Sequence, residues 1–499
     1  MSRKDPISFL MKKRHPFLFI FCYLKFGAFV LFLFSTAAAA GSEASLNENR
    51  SLESGTQQYL KQIEFHIERK HKINKPQFSD SIRNSLINFS MLGPMASISS
   101  WTLEKLGDSK TARTWLFFVM PLVRWMSEPF LYPVETRGTP EKTQQEFQKL
   151  FNFIAGLQKK GFSVSLDNVG DTSLSLEDAI AYKKYYLSLI TQFARAEETN
   201  ELCMSLKLSA LTTDLDAAVG NDREALAKQE EIKTAIIEML QAASKVQDRR
   251  VFIRIDMEEY LYKELTLKLF REIVEQNRIL AVDDNGRLRL GVVIQAYLTD
   301  AAQDVRNLGL WAASQGFRVP IRVVKGAYLK HEREIAEEKG IKCPVWNHKP
   351  STDANYEAIC GFMLQNLDVI EPAFATHNIR SQAHVMALAD LYHIDKSAFE
   401  FQMLYGMGDT IKGVIVAMGY PMREYIPSGS LPRGLKYAGR RFCELASSDN
   451  ALARTMRGDF SVIDDTPGFQ GAEDRKDGRK VMALMSENIS GAVSNPIQQ

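Results

Sequence analysis

Seven polar residues stand at or near the ends of short β-branched runs, and their types are those that bind anions and move protons. Lys207 follows MSL, Asp256 follows IRI, Gln295 ends VVIQ, Arg322 and Lys325 lie in IRVVK, and Thr376 and His377 follow AFA. In several runs the polar residues share one parity. Ser205, Lys207 and Ser209 alternate with Met204, Leu206 and Leu208, and Arg254 and Asp256 alternate with Ile253, Ile255 and Met257. Successive strand residues point to opposite faces. In a closed parallel sheet one face meets helices and the other meets the barrel interior. An inward Lys or Arg there needs a carboxylate or an anionic ligand, because an unpaired buried charge is costly. Each residue alone has a plainer structural explanation. Asp256 can pair internally with Arg254 or Arg322, Gln295 can be satisfied by backbone groups, and His377 has no second ligand at metal spacing. His66 and His71 are five apart and do not share the usual zinc-binding helix face, so no metal is expected. Arg440-Arg441 would ordinarily be a solvated pair, although two guanidiniums also make planar forks for a carboxylate. The convergence at strand ends is what points to a site.

These residues need a scaffold that brings strand ends together. Eight β-rich runs occupy 162–170, 203–211, 251–259, 290–297, 321–328, 373–378, 399–406 and 425–429, with amphipathic stretches such as LEDAIAYKKYYLSLITQFARA between them. Strands alternating with helices imply crossover connections and a parallel sheet. Eight such units predict an α/β fold, a distorted (βα)8 TIM-like barrel, with ligands at the C-terminal mouth. An open doubly wound sheet is the alternative, but no G-x-G-x-x-G fingerprint follows a strand. The expected division is 1–42 apolar signal-like or anchor segment, 43–138 α-helical region, 139–450 barrel and 451–499 C-terminal tail. Within it, 42–55 reads as a polar linker. Residues from Tyr59 to about Pro133 read as helical, their most apolar part buried or at a membrane surface. A short helix is expected at Lys480–Asn488.

Composition sets outer limits. The chain has 499 residues, 45% hydrophobic and 24% charged, with a formal net charge of +2. That excludes a disordered chain and gives no support to nucleic-acid binding. Five widely spaced cysteines without a C-x-x-C pair fit neither a disulfide framework nor a closed zinc site. The N-terminus combines early basic residues with an apolar run and a small-residue end, AFVLFLFSTAAAAG, as a secretory signal peptide does. A membrane anchor and an upstream start are the competing readings. Cysteine usage points instead to a reducing compartment.

The strand-end pieces SLKLSAL, RIDMEE, VIQAY, RVVKGAY, FATHN, EFQMLYGMGD and YIPSG, followed by LKYAGRRFCE, occur in this order over about 160–445. In this the chain resembles the flavin-dependent proline dehydrogenases, including the proline dehydrogenase domain of bifunctional proline-utilisation enzymes. The resemblance implies FAD at the barrel mouth. It implies Asp256 and Arg322 as the catalytic acid and the arginine beside the flavin. Lys207, Arg440 and Arg441 become a clamp for the proline carboxylate, and Leu404, Tyr425 and Tyr437 the walls around the pyrrolidine ring. Met257, Gln295, Lys325, Gly326, Ala327, Thr376 and His377 become FAD contacts; three cations around one carboxylate leave a surplus that Asp256 or Glu444 would balance. Tyr425 stands where proline-specific members carry a tyrosine that would crowd a hydroxylated ring.

The expected activity is oxidation of L-proline to 1-pyrroline-5-carboxylate, the first step of proline degradation to glutamate, with electrons passed to a quinone-type acceptor. A separate 1-pyrroline-5-carboxylate dehydrogenase is expected to take the product, since little chain follows the barrel. The expected location is the cytoplasmic face of a membrane, bacterial inner or mitochondrial inner. Three other readings stand beside it: a 4-hydroxyproline dehydrogenase, a non-catalytic anchored barrel that binds amino acids, and a lyase using Lys207 or Lys325 as a Schiff base.

Overall fold

The computed structural model describes residues 43–73, 130–135, 139–169, 173–197, 199–430 and 467–489. Eight parallel strands close on themselves: β2 (Phe162–Asn168), β3 (Glu201–Leu206), β4 (Arg250–Ile255), β5 (Leu290–Gln295), β6 (Val319–Val324), β7 (Ile370–Ala375), β8 (Glu400–Leu404) and β9 (Met422–Gly429). Strand β9 pairs with both β8 and β2, which completes the (βα)8 barrel. All eight lie within the β-rich runs expected from sequence, or overlap them by a few residues at the start. A short strand β1 (Tyr132–Pro133), within the stretch read as helical, pairs with Ser428 and Gly429 at the end of β9.

Helices cover the outside. They are α2 (Pro140–Gln158), α3 (Leu176–Phe193), α4 (Arg223–Ser244), α5 (Lys263–Gln276), α6 (Ala301–Gln315), α7 (Leu329–Lys339), α8 (Lys349–Gln365), α9 (Ile379–Leu391) and α10 (Asp409–Ala417), preceded by α1 (Glu43–Ile73) and followed by α11 (Ala472–Met485). Their starts follow local chemistry. Thr139, Ser175, Asp222 and Asn378 accept N-cap hydrogen bonds from Lys142, Asp178, Ala225 and Ser381 backbone N–H groups, satisfying donors that the first turn leaves unmade. The outward faces of the strands (Leu166, Met204, Leu206, Ile253, Ile255, Val292, Ile294, Ile321, Val323, Phe374, Phe401) are buried under these helices.

Besides β1, two expectations change. Residues 43–55, read as linker, are the first turns of α1. The helix packs on α9 through buried Leu60 and Ile63, a two-pronged Glu53–Arg380 pair at 3.0 and 2.9 Å and a Tyr59–Asp390 hydrogen bond of 2.5 Å. Gly55, which looks like a breaker, lets the two helices touch: a Cβ there would come within 3.2 Å of the Ala387 Cβ. A polar stretch is helical here because tertiary contacts, not local hydrophobicity, stabilise it. The C-terminal helix also begins earlier than expected, at Ala472, where buried Asp474 accepts hydrogen bonds from the backbone N–H groups of Asn347 and His348. The apolar stretch 74–129 lies outside the described residues.

Candidate active site at the barrel mouth

The interior parity seen in the sequence becomes layers in the register. Ser205 lies opposite Arg254, Arg322 opposite Ala373, and Leu404 opposite Tyr425. Across the mouth five side chains form two ion pairs with a phenol between their carboxylates. Arg322 on β6 donates from Nη2 to Asp256 Oδ1, just beyond β4. Tyr425 on β9 donates from its hydroxyl to Asp256 Oδ2 at 2.8 Å, and the Arg322 guanidinium lies over the Tyr425 ring, 5.2 Å from its centroid. Lys207, just beyond β3, reaches Asp167 Oδ2 on β2 at 3.5 Å. Arg322 Nη1 also donates to Gln402 Oε1 at 3.3 Å and Ser205 Oγ at 3.4 Å, while its Nε is buried without a partner among the described residues.

The charges respond to this crowding. Burial raises the Asp167 carboxyl and Asp256 adds to the rise; Lys207 opposes both and does not cancel them. Burial works against the Lys207 ammonium, but Asp167 and its acidic and phenolic neighbours outweigh it and hold the pKa above the ordinary lysine value. Tyr425 is pushed well up by burial and by the two carboxylates, so it remains a donor. Arg254, one layer deeper, is depressed to about 10 by burial and by repulsion from Arg322.

The remaining site residues expected from sequence have structural partners. Gln295 donates to the Glu258 carbonyl at 2.8 Å and accepts from Ala327 N–H at 3.2 Å, the backbone-satisfied arrangement. It thereby ties the 325–327 turn to the end of β5. Gly326 has φ +133, and a Cβ there would sit 2.4 Å from the Tyr297 ring, so glycine is required by conformation and by that aromatic neighbour. Lys325 pairs with Asp353 on α8 at 2.5 Å, and burial, only partly offset by Asp353, lowers its pKa. His377 Nε2 accepts from Leu404 N–H at 3.0 Å, so the histidine fixes the end of β8. Thr376 Oγ1 accepts from Asn378 N–H at 3.1 Å and so turns the chain into α9, while Met257 is buried and Leu404 half-buried. Tyr437, Arg440, Arg441 and Glu444 lie outside the described residues.

Lys207, Asp256, Arg322 and Tyr425 are therefore brought together, and the structure adds Asp167. It was legible in principle: Ser163, Ser165 and Asp167 share the inward parity of FSVSLDN. Asp353 and Glu258, which engage Lys325 and Ser209, carry no such signal.

A closed parallel barrel with an ion-paired acid, base and phenol cluster at its C-terminal mouth defines an enzyme-type (βα)8 barrel. Residues 151–454 match the family model described as proline dehydrogenase, and the chain belongs to the proline dehydrogenase family. It is 29% identical over 310 residues to the bifunctional protein PutA of Klebsiella aerogenes, covering 60% of this chain and 22% of that protein. It is 29% identical over 277 residues to proline dehydrogenase 1 of Bacillus subtilis (strain 168), covering 56% of this chain and 77% of the relative. Among solved structures, proline utilization A from Bdellovibrio bacteriovorus inactivated by N-propargylglycine superposes with a TM-score of 0.69 at 27% identity, over 82% of this chain and 44% of that one. The chain thus spans less than a quarter of the bifunctional relative's length.

Proposed function

We propose that the chain is an oxidoreductase that converts L-proline to 1-pyrroline-5-carboxylate with FAD. The carrying observation is the set of pairs Lys207–Asp167, Asp256–Tyr425 and Asp256–Arg322 at the mouth of a barrel of this family. The residues fit a flavin dinucleotide. Arg322 is a buried cation with an unused Nε donor, and Lys325 supplies a second cation at the end of the same strand. With Gln295, Gly326, Ala327, Thr376, His377 and Met257, these would hold the cofactor. Bound there, FAD would supply a hydride acceptor for the ring carbon bonded to nitrogen.

The protein's part is binding and orientation. Lys207, held charged by its acidic surroundings, takes the substrate carboxylate together with Arg440 and Arg441. Tyr425 is pinned by Asp256 and Arg322, so its ring is a fixed wall and Leu404 is its cross-strand neighbour. A fixed wall leaves little room for a ring hydroxyl, which favours proline over 4-hydroxyproline as substrate. With Arg440 and Arg441 added to the balanced pairs Lys207–Asp167 and Arg322–Asp256, the mouth carries a positive excess that favours electron gain nearby. Residues 1–42 lie outside the described residues, and among the described residues no helix is long and apolar enough to cross a membrane. The apolar N-terminal run supports association with a membrane; the cytoplasmic face, a quinone-type acceptor and a separate dehydrogenase for the product are what the family resemblance adds to the proposal.

The test is the visible spectrum of the purified protein titrated anaerobically with proline. Bleaching of bound flavin is expected. A colourless chain that takes up no FAD, or a flavin that proline leaves oxidised, rejects the proposal. Replacing Arg440 or Arg441 with Met is expected to raise KM for proline more than it lowers kcat; an unchanged KM removes them from the clamp.

A further inference from the structure

An α-amino acid brings an ammonium as well as a carboxylate, and oxidation of the carbon next to nitrogen needs the nitrogen lone pair. In the zwitterion that pair carries a proton, so some group must take it before the hydride leaves. Lys325 and His377 are engaged by Asp353 and the Leu404 N–H, which leaves four described side chains around the substrate position that could handle a proton. Lys207 is kept charged and serves the carboxylate. Asp256 is saturated, with Arg322 on Oδ1 and the Tyr425 hydroxyl on Oδ2. Tyr425 is held as a donor. The fourth is Asp167, whose side chain is 3% exposed and whose one described ion pair, from Oδ2 to Lys207, is long at 3.5 Å. Its Oδ1 is buried and receives no hydrogen bond of good geometry among the described residues; the Tyr425 hydroxyl, which donates to Asp256, also pulls the Asp167 carboxyl down, but burial still wins. A buried carboxylate oxygen without a donor is costly, and here it stands beside the cation that would hold the substrate.

We propose that Asp167 is the catalytic base, its Oδ1 accepting the proton of the substrate's ring nitrogen. The proposal rests on the proline-oxidation reading. One N–H bond breaks and its proton passes to Asp167, freeing the lone pair. The adjacent C–H bond then breaks, its electron pair leaves as hydride to the flavin, and a C=N bond forms. The product iminium keeps the second N–H proton. The zwitterion and the iminium carboxylate are both neutral overall, with one proton gained by Asp167 and one hydride by the flavin. The groups facing Asp167 are Lys207 from β3, Asp256 from β4, Tyr425 from β9, and Tyr182, Tyr185 and Tyr186 from α3. Burial raises the carboxyl, which suits it to hold a proton and release it again.

The test compares Asp167→Asn with the wild-type holoenzyme, using proline and the ring carboxylate in which oxygen replaces nitrogen. With Asp167→Asn, kcat is expected to fall about 10²-fold or more. The remaining rate should climb with pH, as proline loses its proton in solution. Affinity for the oxygen analogue should stay within about twofold, because that ligand has no proton to give. Near-normal kcat with an unchanged pH profile, or equal loss of affinity for both ligands, overturns the proposal; the second outcome would mean that Asp167 only positions Lys207. Asp167→Glu should recover part of kcat. If neither variant retains flavin, the wild type decides. Its affinity for proline relative to the oxygen analogue must increase with pH through a single ionisation, and a flat ratio overturns the proposal. Wild-type flavin that proline does not bleach rejects the proposed reaction itself, a separate failure.

Discussion

The two ends of the barrel use the same side-chain types for opposite ends. At the closed end Arg423 donates from Nε to both oxygens of Glu400 at 2.8 and 3.0 Å, and from Nη1 to Glu201 at 2.9 Å and the Val164 carbonyl at 2.8 Å. Arg250 reaches Glu371 at 3.1 Å and Glu201 at 3.8 Å. Each cation meets two carboxylates. Burial alone would raise Glu400, but Arg423 and Arg254 outweigh it and hold the carboxyl at about 2. At the mouth the pairs are single and shared, and Asp167 is pushed up rather than down. A network in which each cation is doubly ion-paired specifies structure. An incomplete one keeps polar groups for a ligand to complete.

That contrast sets the order of expected effects. Arg423→Met should be the most damaging to stability, by about 3–5 kcal/mol in denaturant unfolding, because it removes the principal cation of both Glu201 and Glu400. A loss below 1 kcal/mol, on the same scale, would erase the distinction between the two ends. Arg322→Met should abolish proline bleaching yet cost only about 1–3 kcal/mol. Asp256 keeps the Tyr425 hydroxyl, and Arg254 is relieved of a repelling neighbour. Equal destabilisation by the two variants would show that the mouth is as structural as the floor.

The third effect is in acid. Because the Glu400 carboxyl is depressed from 4.5 to about 2 on folding, its stabilisation is complete above the higher value and disappears as pH falls toward the lower. Urea midpoints at about pH 6 and about pH 3 should therefore converge in Glu400→Gln relative to wild type. An identical pH dependence would mean that Glu400 is not the group titrating. The smallest effect belongs to Arg254→Met. Arg254 Nε and Nη1 are buried without partners among the described residues, and its guanidinium lies over Phe252, 4.9 Å from the ring centroid. Its attraction to Glu400 offsets part of the cost of burying an under-satisfied cation, so removing it should leave stability within about 1 kcal/mol of wild type. A loss of several kcal/mol, on the same scale, would show that the attraction to Glu400 outweighs the burial.

The strands were legible because each packs one apolar face under helices, and the alternation of IRID or SLKL reports that packing directly. Lys207, Asp256 and Arg322 could be selected because an inward charge near a strand end has few structural reasons to be there. Helix α1 was hidden. Its polar face and Gly55 look like a linker until Arg380 and Ala387 are known to lie against it. For Gln295 the backbone-satisfied reading was open from sequence, but which groups Gln295 and His377 meet was not, since those are backbone groups of other units, at Glu258, Ala327 and Leu404.

By itself the sequence determined which face of each strand each residue occupies and roughly how high it stands, because the side-chain period of a strand is a local property. It also carried the ordered pieces by which the family is identified. Only the closed barrel decided who meets whom: Arg322 with Asp256 rather than Arg254, Tyr425 with Asp256, and Lys207 with Asp167. Pairing around a barrel depends on register across strands far apart in the chain. Because charge interaction falls with distance and grows with burial, a carboxylate's partners set its role, and those partners are a property of the assembled interior.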